Sequence, residues 1–124
     1  MGGSWGSVSQ MIARKHKQLR FVVQDLASVI SDGPSKLDPE VAGRIEFMEH
    51  SFFEPQKVIA DVYLFRLIFH DYSDKYCTRI LKNLIPKMTK ASKIVIVDAI
   101  LPLPNTSPKV VEKNQRYVVE LLQP

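Results

Sequence analysis

The chain has 124 residues, 45% of them hydrophobic and 24% charged, with a net charge of +4. This is the composition of one modest soluble globular domain. No apolar run approaches the ~18 residues of a membrane span, and the single cysteine, Cys77, gives no disulfide framework.

The opening "MGGSWGSVSQ" lacks the basic and apolar regions of a secretory signal. With the lone thiol it suits a reducing, cytoplasmic setting. Ser7 followed by Gln10 reads as a capping box, starting a helix with Val8, Met11 and Ile12 on its apolar face. That helix ends in the basic cluster "RKHKQLR" (Arg14, Lys15, His16, Lys17, Arg20), read as a solvated helix end rather than a nucleic-acid site.

"LRFVVQD" (19–25) reads as a buried strand, "PEVAGR" (39–44) as a short helix and "RIEFMEH" (44–50) as a weaker strand. "ADVYLFRLI" (60–68) is β-branched and aromatic, a third strand. Asp74 is placed to cap a helix with Cys77, Ile80, Leu81 and Leu84 on one face, and Pro86 either ends or kinks it. "KIVIVDAIL" (93–101) is a fourth strand, "LPLPNTSP" (101–108) a turn-rich linker, and Val110, Val111, Asn114, Val118, Leu121 and Leu122 suggest a last amphipathic helix. Helix alternating with apolar strand predicts an α/β class with a mostly parallel sheet.

In such sheets ligands bind at the carboxyl ends of the strands. Asp25, the pair Ser51 and Phe52, His70 with Asp71, and Asp98 all fall there. Each also has a plain structural reading, Asp25 as the cap of the next helix and Asp98 as the start of a turn. The glycines of "GGSWG" allow close backbone approach ahead of a helix, without the dinucleotide GxGxxG spacing. His16 and His50 are read as surface residues, and no His/Cys spacing suggests a metal site.

Taken in order, "GGSWGSVSQMIA", "FVVQDL", "RIEFMEHSFFEPQ", "DVYLFRLIFHDYSDKYCTRILKNLIP" and "SKIVIVDAILP" resemble S-adenosylmethionine-dependent O-methyltransferases. The likeness is to the plant and fungal small-molecule type, above all the fungal secondary-metabolite branch. It implies an incomplete Rossmann-like sheet over 1–124, with S-adenosylmethionine as cofactor and a phenolic small molecule as acceptor.

By the same resemblance, Gly2, Gly3 and Gly6 line the methionine and ribose end of the cofactor, and Asp25 holds the ribose hydroxyls. Leu26 packs near the adenine, Ser51 and Phe52 stand where the family has an acid–apolar pair around it, and Arg66 takes a basic position near the cofactor. His70 matches the general base and Asp98 the acid that orients it.

The family also carries a strand before the glycine segment, a helical dimerisation domain and further C-terminal strands. The resemblance therefore implies a partial catalytic domain. It is either a working methyltransferase core or an inactive remnant that binds other chains, as a homo-oligomer or with another methyltransferase. No nucleic-acid or membrane partner is expected.

Overall fold

The computed structural model describes residues 1–99 throughout and the backbone of the strand Tyr117–Leu122. The elements in chain order are α1 (Ser7–Lys15), β1 (Phe21–Asp25), α2 (Ala27–Ile30), α3 (Pro39–Ala42) and β2 (Ile45–Glu49). They continue with β3 (Val62–Arg66), α4 (Asp74–Lys82), β4 (Lys93–Ala99) and β5 (Tyr117–Leu122). No described helix is long and apolar enough to cross a membrane.

The strands form two hydrogen-bonded groups, β1–β2 and β3–β4–β5. β1 pairs parallel with β2, Phe21 opposite Ile45, and β3 pairs parallel with β4, Val62 opposite Lys93. β5 runs antiparallel to β4. The β-branched runs produce these strands because their side chains pack well on a pleated, half-buried surface.

Each half-sheet has its own core. Ala13 of α1 and Val41 of α3 close over Val23 and Ile45. Ile80 and Leu84, one turn apart on and just past α4, close over Tyr63, Phe65 and Ile94. The Tyr63 hydroxyl lies 2.9 and 3.0 Å from the Val58 and Lys87 carbonyls, its one hydrogen shared between them, which lets a polar ring enter that core.

The seam between the halves is bridged in two places. Gln24 of β1 and Gln56 of the β2–β3 connection exchange reciprocal amide bonds of 2.9 Å, both side chains buried. The first residues form the other bridge: the Gly3 N–H donates to the Gln24 carbonyl at 3.0 Å, and the Met1 amino group to the Leu64 carbonyl at 3.1 Å.

Several local expectations are corrected. No side chain caps α1: Gly6 precedes it in the left-handed region (φ 81°), and Ser7 is its first residue. The Gln10 amide is spent elsewhere, donating to the Lys36 carbonyl and accepting from the Asp38 N–H. The helix buries Gln10 and Ala13, while Met11 is exposed, because the core is reached from that side. Ser73, not Asp74, flanks α4, again with no side-chain cap. Pro86 belongs to a separate 3-10 turn after the helix, Ile85–Lys87.

The predicted last helix fails where it is described. Tyr117–Leu122 is a strand, because β4 offers a free edge that an apolar run can satisfy. The remainder of that segment, and the 101–108 linker, lie outside the described residues.

Candidate active site

Asp25 ends β1 and gathers the glycine segment. Its Oδ2 accepts the Ser4 N–H at 2.9 Å and its Oδ1 the Leu26 N–H at 2.8 Å. Asp25 is therefore not a helix cap; α2 has none. Ser4 reaches it from a left-handed conformation (φ 49°), beside Gly2 (φ 59°). The unused lone pairs of a carboxylate fixed by backbone donors can take further hydroxyl donors.

The glycines leave no room for side chains. A Cβ on Gly3 would meet Val23 Cγ1 at 2.7 Å, and one on Gly2 would meet Ile68 Cδ1 at 2.6 Å and Phe52 Cε1 at 3.6 Å. A Cβ on Gly6 would lie 3.3 Å from Phe47 Cζ. Phe52 thus stands against the glycine turn. Its ring is edge-on to Phe53 and Tyr72, with centroids 5.0 and 5.8 Å away. Ser51 turns inward on its own loop, its Oγ accepting the Phe53 N–H at 3.3 Å.

His70 is not the end of a strand. β3 stops at Arg66, and Leu67 takes a left-handed conformation (φ 55°) that breaks the pleat. A 3-10 turn, Phe69–Asp71, then carries the histidine. Asp98 of β4 holds that turn. Its Oδ2 accepts the Phe69 N–H at 3.0 Å and the His70 N–H at 3.3 Å, and its Oδ1 lies 2.6 Å from His70 Nδ1. Asp98 is therefore inside a strand, not at a turn.

Partial burial pushes the Asp98 carboxyl upward, but hydrogen bonds from the Ala99 N–H and the His70 ring and backbone outweigh it, and the group sits below the usual carboxylate range. Such a partner fixes the imidazole tautomer with Nδ1 protonated and leaves Nε2 as the acceptor. Asp71 Oδ1 lies 3.3 Å from that Nε2, on an exposed side chain.

The residues expected at the two parts of the site fall into two groups. Gly2, Gly3, Gly6, Asp25 and Phe52 form one set, His70 and Asp98 the other, and Ile68 and Tyr72 link them through Gly2 and Phe52. Leu26 and Arg66 are exposed, and Arg66 has no ion pair among the described residues. No group of His, Cys, Asp or Glu among the described residues could hold a metal ion.

His50 overturns its expected surface place. It is 4% exposed at the end of β2, its N–H donating to the Asp25 carbonyl, and neither ring nitrogen has a partner among the described residues. Burial first, and then Lys57, depress its pKa. Sequence spacing carried no sign of this, nor of the parts played by Ser4 and Leu67.

These features define an α/β protein with short parallel strand pairs and flanking helices. A family model described as an O-methyltransferase domain matches residues 1–123, and the chain belongs to that family. It is 44% identical over 118 residues to the grayanic acid biosynthesis cluster O-methyltransferase of Cladonia grayi, covering 94% of this chain and 26% of that protein. Among solved structures it resembles LepI in complex with SAM, at TM-score 0.77 and 32% identity over 91% of this chain and 29% of that one. It also resembles CalO1, a methyltransferase in calicheamicin biosynthesis in its SAH-bound form, at TM-score 0.77 and 29% identity over 92% and 34%. The chain spans about a quarter of the length of the curated relatives it matches.

Proposed function

We propose that this chain binds S-adenosylmethionine at its glycine rim and takes part in methyl transfer to a hydroxyl of an aromatic small molecule, with His70 as general base. The observation that carries the reading is the His70 Nδ1–Asp98 Oδ1 contact of 2.6 Å.

The residues fit the cofactor. Gly2 and Gly3 let the turn backbone pack closely on Ile68 and Val23, and Asp25, held by Ser4 and Leu26, presents lone pairs suited to a ribose diol. Phe52 offers a flat face for a purine, and Ser51, lacking the charge of an acid, offers only a neutral hydroxyl. When bound, the cofactor supplies an electrophilic methyl on a sulfonium.

The chain's own residues handle the proton. A phenol with pKa ~10 is a poor nucleophile at neutral pH, whereas an imidazole with pKa ~6.5 is free to accept. His70 Nε2 takes the hydroxyl proton as the oxygen attacks, and Asp98 steadies the resulting imidazolium. Asp71 must yield Nε2 to the acceptor, which its exposure permits. Most of the acceleration comes from holding the groups in line.

The test is calorimetry with S-adenosylhomocysteine on the purified chain, followed by methyl-transfer assays on hydroxylated aromatics. Binding that survives His70→Ala but fails in Asp25→Ala, with turnover lost in both, is the expected result. Turnover unchanged in His70→Ala would refute the base. Binding without any turnover would favour a non-catalytic binding module.

A further inference from the structure

Phe52 stands on the connection between β2 and β3, which contains no helix or strand. The carbonyls of such a segment have no ladder to join, so their partners must come from elsewhere. One turn closes within the connection itself, the Glu54 N–H donating to the Ser51 carbonyl at 3.0 Å.

The carbonyls of Phe52 and Phe53 find their partners on α4. Asn83 is the C-cap of that helix. Its Nδ2 donates to the Phe52 carbonyl at 3.2 Å, and its own carbonyl accepts the Gln56 N–H at 2.8 Å. Arg79, one turn earlier on the same face, donates from Nη2 to the Phe53 carbonyl at 3.2 Å. Its guanidinium lies over the Phe53 ring, 5.7 Å from the centroid. Two side chains thus fix two successive peptide planes, and with them the direction in which the Phe52 ring leaves the backbone.

The same helix is anchored to the turn that carries His70. Cys77 Sγ lies 3.4 Å from the Tyr72 carbonyl and 3.6 Å from the Phe69 carbonyl, its one hydrogen shared between them. The Tyr72 ring stands edge-on to Phe52 and Phe53, with centroids 5.8 and 5.2 Å away. α4 therefore ties the Phe52 segment and the histidine turn to one rigid body.

We propose that Asn83 and Arg79 are positioning residues for the cofactor's purine, acting through the Phe52 and Phe53 carbonyls to hold the Phe52 ring where the base docks. The assignment rests on the reading of Phe52 as a wall of the purine seat. Neither side chain touches the cofactor. Every contact involved lies within residues 51–83, and none depends on the glycine segment.

The test uses the full chain and two ligands, S-adenosylhomocysteine and S-ribosylhomocysteine, the second being the first without its purine. Calorimetry serves for the former and NMR titration for the latter. Asn83→Ala is expected to weaken S-adenosylhomocysteine about fivefold, the worth of one lost hydrogen bond, and to leave S-ribosylhomocysteine unchanged. Asn83→Asp, which keeps the size but removes the donor, should behave alike. Arg79 is exposed, so Arg79→Gln tests the same split in a chain whose core is untouched, with a smaller loss expected. Equal weakening of both ligands would make the two residues merely structural and overturn the proposal. Unchanged S-adenosylhomocysteine affinity in the folded variants would overturn it also. A wild-type chain that binds S-ribosylhomocysteine as tightly as S-adenosylhomocysteine, or binds neither, would remove the purine seat itself, and the proposal with it.

Discussion

One carboxylate, that of Asp98, holds His70 by ring and backbone together: Nδ1 at 2.6 Å and the N–H at 3.3 Å. The histidine's place is therefore set by β4, across the sheet, and not by the strand that precedes it. This makes orientation of the ring and folding of its turn a single event.

Replacing Asp98 by alanine should cost both. Loss of an acceptor for the Phe69 and His70 N–H groups is worth about 1–3 kcal/mol, visible in urea unfolding. If His70 is the base, methyl transfer falls on the order of a hundredfold or more, while S-adenosylhomocysteine affinity changes little. Because the folded Asp98 pKa is depressed, its contribution is present above the ordinary carboxylate range and is lost as pH falls through the folded value. Wild-type and Asp98→Asn stabilities should therefore converge in acid.

The Met1 amine gives a slope of the same sign, nearer neutrality. With its folded pKa about 6 against 8.0 unfolded, the unfolded chain carries more protons between those values. Stability must then rise as pH rises from about 6 to about 8, by up to about 3 kcal/mol. The depressed pKa of His50 acts in the same sense further into acid. Urea midpoints measured across this range should climb with pH; a flat profile would contradict the buried amine.

Gln24 and Gln56 should behave as a coupled pair. Gln56 Oε1 also accepts the Lys57 and Val58 N–H groups at 3.0 Å each, so Gln56→Leu should cost more than Gln24→Leu. Each single change orphans a buried amide, at about 1–3 kcal/mol. The double variant should cost clearly less than the sum, which a double-mutant cycle in urea would read.

Among the glycines, Gly6→Ala should lose about 1–2 kcal/mol, because φ is 81° and Phe47 Cζ lies 3.3 Å from the added carbon. Gly43→Ala, with φ −68° and nothing within 4 Å, should be neutral or slightly stabilising. Thermal melts of the two variants make the contrast.

Much of the fold was legible because parallel strands write themselves as apolar runs. Phe21–Asp25, Val62–Arg66 and Lys93–Ala99 fall inside the stretches read as strands. The stripe of Ile80 and Leu84 likewise faces its core. Helix starts were misread because a left-handed Gly6 does work that the spacing assigned to Ser7. The segment at Tyr117–Leu122 fits either period, and the open edge of β4 decided for strand. The pairing of His70 with Asp98 came from family resemblance; proximity of residues so far apart in the chain is a tertiary fact. The burial of His50 has no counterpart in local pattern, since a residue closing a short strand is buried only by what packs from elsewhere.

The division into two cores bears on the chemistry in a further way. Asp25 belongs to one half of the molecule and His70 to the other, and the seam between them is stitched by two glutamine amides and the first three residues. If Asp25 seats the nucleoside as proposed, any loosening of those stitches would shift it relative to the imidazole before either core melted. Alignment, and with it turnover, would then fail at a lower temperature than the fold itself.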